Sequence, residues 1–176
     1  VYSSGDAQGF QYSGGTDFFT SSDDVYITKW FKRTADNGGG ATNFDETLLA
    51  LRDSDGVQIG LGSLSPVDNK LMAATIGGNT QSDGSGSVTN LSTWYRVDFI
   101  WRQSAGELDF YLDGALDFTV TSYSDTSSGG AVGYIDVRSS LAAGIIGHSK
   151  DQGVSITIPT SGKITSEYNN QSDPAT

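Results

Sequence analysis

Carboxylates two residues apart on a strand share one face. The run Glu107-Leu108-Asp109-Phe110-Tyr111-Leu112-Asp113 puts three of them on the same parity. Such a row could hold a nucleophile and an acid/base, which retaining glycoside hydrolysis needs about 5–5.5 Å apart. Tyr111, however, stands where the next acid of the row would fall. Asp113 lies about 20 Å from Glu107 along a strand rising about 3.3 Å per residue. The outer two carboxylates cannot act as a retaining dyad, and no enzyme is expected. His148 is the single histidine. A Ser-His-Asp triad can be drawn through it in any chain this rich in Ser and Asp. Gly147-His148-Ser149 lacks the glycine pattern of a nucleophile elbow, so His148 reads as a surface or turn residue.

Asp53-Ser54-Asp55-Gly56 matches the opening of a calcium loop, but no terminal Glu follows at the right offset. The Asp-Gly pair between two apolar alternations is also a hairpin signal, because Gly accepts a positive φ without steric cost. The hairpin is the favoured reading, with Asp53 and Asp55 as the metal candidates. Asp17, Asp23, Asp24, Asp136 and Asn43 offer further oxygens, and the sequence does not choose among them. A second constellation is aromatic. Tyr26, Trp30, Lys32, Trp94, Arg96, Asp98, Asp109 and Tyr111 take the parity opposite to the expected core. Sugars stack C–H faces on aromatic rings and need fixed polar partners for their hydroxyls. Tyr26, Trp30, Lys32, Arg96, Asp98, Asp109 and Tyr111 are therefore the candidate glycan contacts. The competing reading buries Trp30 and Trp94 under a second sheet or a covering loop.

The elements that must position these residues are short strands of period two separated by turn residues. In 24–33, Val25, Ile27 and Phe31 share one side, while Tyr26, Thr28, Trp30 and Lys32 share the other. Strands are also expected at 48–52, 57–61 and 70–76, with a polar loop over 77–86. Over 94–102, Tyr95, Val97, Phe99 and Trp101 alternate with Trp94, Arg96, Asp98 and Ile100. A turn at 104–106 leads to 107–113, where Leu108, Phe110 and Leu112 point one way. Asp113-Gly114 turns again, and Leu116, Phe118 and Val120 form the next inward row. These three strands read as a meander. Further strands are expected at 131–138 and 154–158, and a short helix over 161–170 after Pro159. The segment 139–160 is expected to hold an added strand or a flap beside a ligand.

The bulk numbers agree with this pattern. A chain of 176 residues fits one domain. With 23 Gly and 18% charged residues it is no helical bundle, and three Trp, eight Tyr and eight Phe supply a core. A net charge of −11 repels phosphate backbones and anionic lipid surfaces, so nucleic acid is not an expected partner. No run approaches the about 20 apolar residues that span a bilayer, and no membrane insertion is expected. The absence of cysteine removes disulfides, thiol chemistry and Cys-based zinc sites.

Three stretches carry a family resemblance: Val25-Tyr26-Ile27-Thr28-Lys29-Trp30-Phe31-Lys32-Arg33, Ser92-Thr93-Trp94-Tyr95-Arg96-Val97 and Leu108-Asp109-Phe110-Tyr111-Leu112-Asp113-Gly114. A fourth, Gly133-Tyr134-Ile135-Asp136-Val137-Arg138, is one residue short of the family's closing pattern. Together they resemble the laminin-G-like, concanavalin A-like lectin/glucanase superfamily. The resemblance implies an all-β, two-sheet antiparallel β-sandwich of jelly-roll type over residues 1–170, with 171–176 as a linker or tail. Glucanases of this superfamily resemble E-x-D-x-E on one strand, which Tyr111 interrupts. Its lectin-like members often resemble calcium binders, so Ca²⁺ is the one cofactor expected. Lys29 departs from the pattern, at a position where the family has a small or apolar residue; its stem is expected to snorkel to solvent. The fold hosts many functions. The expected function is a non-catalytic binding module for carbohydrate within a larger secreted or cell-surface protein. The alternative is a structural decoration or adhesion domain, on a virion or cell surface, with a protein interface. Oligomeric state is not readable.

Overall fold

A computed structural model describes residues 8–12, 23–33, 47–53, 58–64, 70–74, 81–87, 90, 92–102, 104–121, 132–139 and 146–172. Its strands are β1 (Gln8–Tyr12), β2 (Val25–Arg33), β3 (Thr47–Asp53), β4 (Gln58–Leu64), β5 (Lys70–Ala74), β6 (Gln81–Ser87), β7 (Trp94–Arg102), β8 (Glu107–Leu112), β9 (Ala115–Val120), β10 (Val132–Ser139) and β11 (Ile146–Ser155); one helix, α1 (Ser161–Ser172), follows. The strands hydrogen-bond in the orders β1-β10-β3-β4-β5-β6 and β11-β2-β7-β8-β9. Every pairing is antiparallel. The chain is thus mostly antiparallel sheet with one helix, consistent with an all-β sandwich.

The five-stranded sheet follows its sequence pattern closely. Ile27 pairs with Phe99 and Phe31 with Tyr95, so the apolar parities of β2 and β7 share a face. Phe99 in turn meets Phe110, and Phe110 meets Phe118. Phe31, Val97, Phe99 and Phe110 are buried to within 1% of complete. Phe99 and Phe110 pack edge to face at 4.9 Å, and Phe110 stacks on Phe118 at 4.4 Å. The β8–β9 turn is built by Asp113 (φ 51°) and Gly114 (φ 79°) between the paired Leu112 and Ala115. Two consecutive positive φ angles are the signature of a type I′ hairpin, whose twist matches that of its strands.

Four expectations change. Leu116 does not join the inward row. The β8–β9 register shifts between Phe110 and Tyr111, which pair with Phe118 and Leu116. The extra residue, Asp117, makes a bulge that turns Leu116 to the face of Tyr111, where it is 54% exposed. Lys29 is fully buried on the phenylalanine face, so its stem does not run out to solvent. From Gln81 onward the run expected as a polar loop over 77–86 is an edge strand, β6, held by backbone pairing to β5; 77–80 lie outside the described residues. Apolar alternation cannot reveal such a strand, and polar edges are a common guard against aggregation. The strand expected at 154–158 starts earlier and ends sooner, as β11 (Ile146–Ser155), which pairs with β2; it is the added strand, one of the two forms expected for 139–160.

Candidate functional site

The second face of the five-stranded sheet carries Tyr26, Trp30, Arg96, Asp98, Ile100, Asp109 and Tyr111, as strand parity requires. Arg96 and Asp98 are two apart on β7, so their side chains stand side by side. Both are buried, at 1% and 0% exposure. The Arg96 guanidinium donates to Asp98 Oδ1 from Nη2 at 2.8 Å and from Nε at 3.1 Å. The Tyr26 hydroxyl donates to the same oxygen at 2.6 Å and accepts from Arg96 Nη2 at 3.0 Å. Burial opposes the guanidinium charge, but the hydrogen bond and negative charge of Asp98 outweigh it and hold Arg96 above its ordinary value. Burial, then the Asp98 carboxylate, push the Tyr26 hydroxyl well above the usual phenol range. Tyr26 is therefore a fixed, neutral donor. Asp98 Oδ2 has no hydrogen-bond partner.

Helix α1 closes this face. Thr160 caps it: its Oγ1 accepts from the Lys163 N–H at 3.2 Å and its carbonyl from the Ile164 N–H at 3.1 Å. Ile164, Tyr168 and Gln171 recur at helical spacing and face the sheet. Ile164 is fully buried among Tyr26, Ile100 and Tyr111. Tyr168 stacks on Trp30 at 5.8 Å, and Gln171 Oε1 accepts from Trp30 Nε1 at 2.9 Å. Thr165 Oγ1 donates to the Gly114 carbonyl at 2.7 Å. Gly114 must lack a side chain, since a Cβ there would lie 2.8 Å from that of Tyr168.

Beside the helix lies a groove of about 380 Å³, lined by Tyr26, Ser155, Thr157, Ile158, Pro159, Thr160, Lys163 and Glu167. Glu167 links it to the buried network: its Oε2 is 3.3 Å from Arg96 Nη2, and its Oε1 is 3.7 Å from Lys163 Nζ. Three hydroxyl side chains, an ion pair and the apolar surfaces of Ile158, Pro159 and Tyr26 therefore converge on one concavity.

No protein-family model and no curated protein matches the chain. Solved structures do. The botulinum neurotoxin serotype G binding domain superposes with a TM-score of 0.59 at 13% identity, over 87% of this chain and 37% of that one. A native heptameric SAP-like pentraxin from Limulus polyphemus gives 0.57 at 15% identity, over 82% and 69%. Trypanosoma rangeli sialidase gives 0.57 at 12% identity, over 86% and 23%. The chain thus spans less than two thirds of the neurotoxin domain's length. At such identities the likeness is one of fold, and it is consistent with a concanavalin A-like sandwich.

Against this geometry the expected glycan contacts sort clearly. Tyr26, Trp30, Arg96, Asp98, Asp109 and Tyr111 do share a face, but all six are buried and α1 packs over the part built by Tyr26, Trp30, Arg96 and Tyr111. They are not an open platform. Lys32 is half-buried, with its ammonium 5.1 Å over the ring of Trp94. Asp109 is held by Arg102 and by the Thr119 hydroxyl at 2.7 Å. Arg102 is raised by its hydrogen bond to Asp109, while burial and the Asp109 charge raise the Tyr111 hydroxyl. Tyr26 alone of the seven lines the groove. Alternation predicted the face, and the competing reading of burial under a cover holds for Trp30, with a helix in place of the expected sheet or loop, while Trp94 is half-buried. The spacing of Ile164, Tyr168 and Gln171 was there to read. The helix also runs through Gln171, past the expected start of the tail at 171. Asp53 ends β3 and Asp136 lies in β10; Asp55, Asp17 and Asn43 lie outside the described residues. Asp23 and Asp24 immediately precede β2. Among the described residues no three acidic or histidine side chains cluster as a metal site. His148 stands in β11 opposite Lys32 in register. No described helix is long and apolar enough to cross a membrane.

Proposed function

We propose that this chain is a non-catalytic binding module of a larger secreted or cell-surface protein, built as a concanavalin A-like jelly roll, and that its ligand is carbohydrate. The stacking of the two sheets on the phenylalanine face is part of this reading. The observation that carries the function is the groove beside α1, where hydroxyls and an ion pair border apolar surface, the mixture that sugar rings require. A non-catalytic role is supported by the carboxylates of the β8 hairpin. Asp109 is committed to Arg102 and Thr119, and Asp113 Oδ1 accepts the Arg96 backbone N–H at 2.8 Å. A Ca²⁺ ion held by Asp53 and Asp55 belongs to the proposal on sequence grounds alone; an unchanged melting temperature in EDTA would remove it.

The test is a glycan array probed with the whole chain, repeated with Thr157→Trp, which fills the groove from an exposed position. The reading expects binding that this substitution abolishes. A second reading, a decoration or adhesion domain on a virion or cell surface, draws on the exposed Leu116 and Ile156, at 54% and 52%. It would be favoured by self-assembly or protein capture in the absence of any bound sugar.

A further inference from the structure

Resting on the carbohydrate reading, we infer that the groove selects neutral sugars over acidic ones, and that Glu167, held in place by buried Arg96, is the residue that selects. Among the described residues the ionic groups at the groove are two cations, Arg96 and Lys163, and two carboxylates, Asp98 and Glu167. They cancel. Arg96 is answered within the interior by Asp98 at 2.8 Å, and Lys163 by Glu167 at 3.7 Å. These four leave no surplus positive charge for a ligand carboxylate or sulfate, and the chain as a whole carries −11. A field of that sign disfavours the approach of a polyanion.

The acceptors point the same way. The Tyr26 hydroxyl is engaged on both sides, by Asp98 and Arg96, so Tyr26 offers the groove ring surface and no free donor. Each oxygen of Glu167 faces one cation, and an ionised carboxylate has about four acceptor positions, so sites remain for ligand donors. A pair of adjacent sugar hydroxyls presents two such donors. Ser155 Oγ is engaged by the Thr157 backbone on both sides, but the Thr157 hydroxyl, and the Thr160 hydroxyl that already accepts from the Lys163 N–H, can donate around the same ring, beside Ile158 and Pro159. Arg96 is too buried to touch the sugar; it is a positioning residue, fixing one oxygen of Glu167 from beneath.

The experiment is titration calorimetry on the whole chain with two sets of probes. Cellotetraose, xylotetraose, mannotetraose and galactotetraose are neutral; sialyllactose, tetragalacturonate and a heparin tetrasaccharide are acidic. At least one neutral probe should bind tenfold or more tighter than every acidic one. Glu167→Gln should weaken that probe about tenfold, the scale of a lost hydrogen bond to a charged group. The same substitution adds one unit of positive charge and should strengthen the acidic probes. Asn170→Ala, exposed on α1 and outside the groove lining, should change neutral binding less than threefold. Thermal melts establish that each variant is folded. Stronger binding of acidic probes overturns the inference and leaves the carbohydrate reading standing, as does neutral binding that Thr157→Trp abolishes but Glu167→Gln does not alter. Binding of no probe overturns both.

Discussion

On one face of the five-stranded sheet the rings of Phe31, Phe99 and Phe110 are buried among aromatic and aliphatic side chains; on the other, Arg96 and Asp98 are buried with Tyr26 beneath α1. The two faces come from the same strands read at alternate residues. Apart from the buried Lys29, the first is held by dispersion and water exclusion, which need no particular partner atom. The second is held by matched donors and acceptors, which are worth little unless each is satisfied. A face of the first kind tolerates small shifts. A face of the second kind needs its cover to arrive in register, and Ile164, Tyr168 and Gln171 supply that register.

The comparison can be broken most forcefully from its apolar side. Phe110→Ala removes a ring in contact with Phe99 and Phe118 and should cost about 3–5 kcal/mol, read from urea midpoints. The loss should be the same at low and high salt. On the charged side, Asp98→Ala leaves the buried Arg96 without its closest carboxylate and should cost about 3 kcal/mol or more. The double variant Arg96→Met with Asp98→Leu should recover most of that loss. Asp98 already leaves one oxygen unsatisfied, so the pair is an imperfect match that apolar side chains can replace. A double variant as unstable as the single would mean that the network stabilises more than its replacement can, and the contrast between the faces would fall. The Arg96–Glu167 contact, half-exposed on the glutamate side, should contribute little to folding.

Gly114→Ala tests the junction between the strands and the helix. The added Cβ meets Tyr168 at 2.8 Å, and the backbone sits at φ 79°, where side chains are strained. A cost of about 2 kcal/mol is expected. Because Tyr168 stacks on Trp30, tryptophan fluorescence should change along with stability.

Legibility in the sequence follows the same division. β7 spans Trp94–Arg102 as its alternation predicts, and the β7-β8-β9 meander is as expected. Period-two apolar patterning is a direct image of a dry face, so Val97, Phe99 and Phe110 could be placed from sequence alone. The bulge at Asp117 could not, because one inserted residue leaves composition unchanged while reversing Leu116. β6 was hidden because backbone pairing holds it at an edge. The polar face was legible as a face, but a set of Trp, Tyr, Arg and Asp reads alike whether it greets a sugar or a helix. Telling them apart needs the partner element. α1 itself was expected, yet its contacts with Gly114 and Trp30 span 51 and 141 residues of sequence.

The smallest effect lies in Asp113, whose turn feeds the charged face. Burial raises its carboxyl above the ordinary value, against the opposing hydrogen bond from the Arg96 backbone, and the charge of Asp98 adds to the rise. A carboxyl raised in the folded state favours folding when protonated. Its contribution is full below the unfolded pKa and is lost as pH climbs through the higher folded value. Asp113→Asn removes this titration while keeping an oxygen that can accept the Arg96 N–H at 2.8 Å. Asn also suits the φ of 51°, since Asn-Gly is a favoured pair for a type I′ turn. The variant should therefore gain on the parent as pH rises from 3 to 7, and end more stable by about 0.5 kcal/mol or less, the scale of a half-buried polar change. Phe110→Ala measured across the same range should show no such drift. A parent that gains on Asp113→Asn as pH rises would reverse the sign and show that hydrogen bonding, rather than burial, governs this carboxylate.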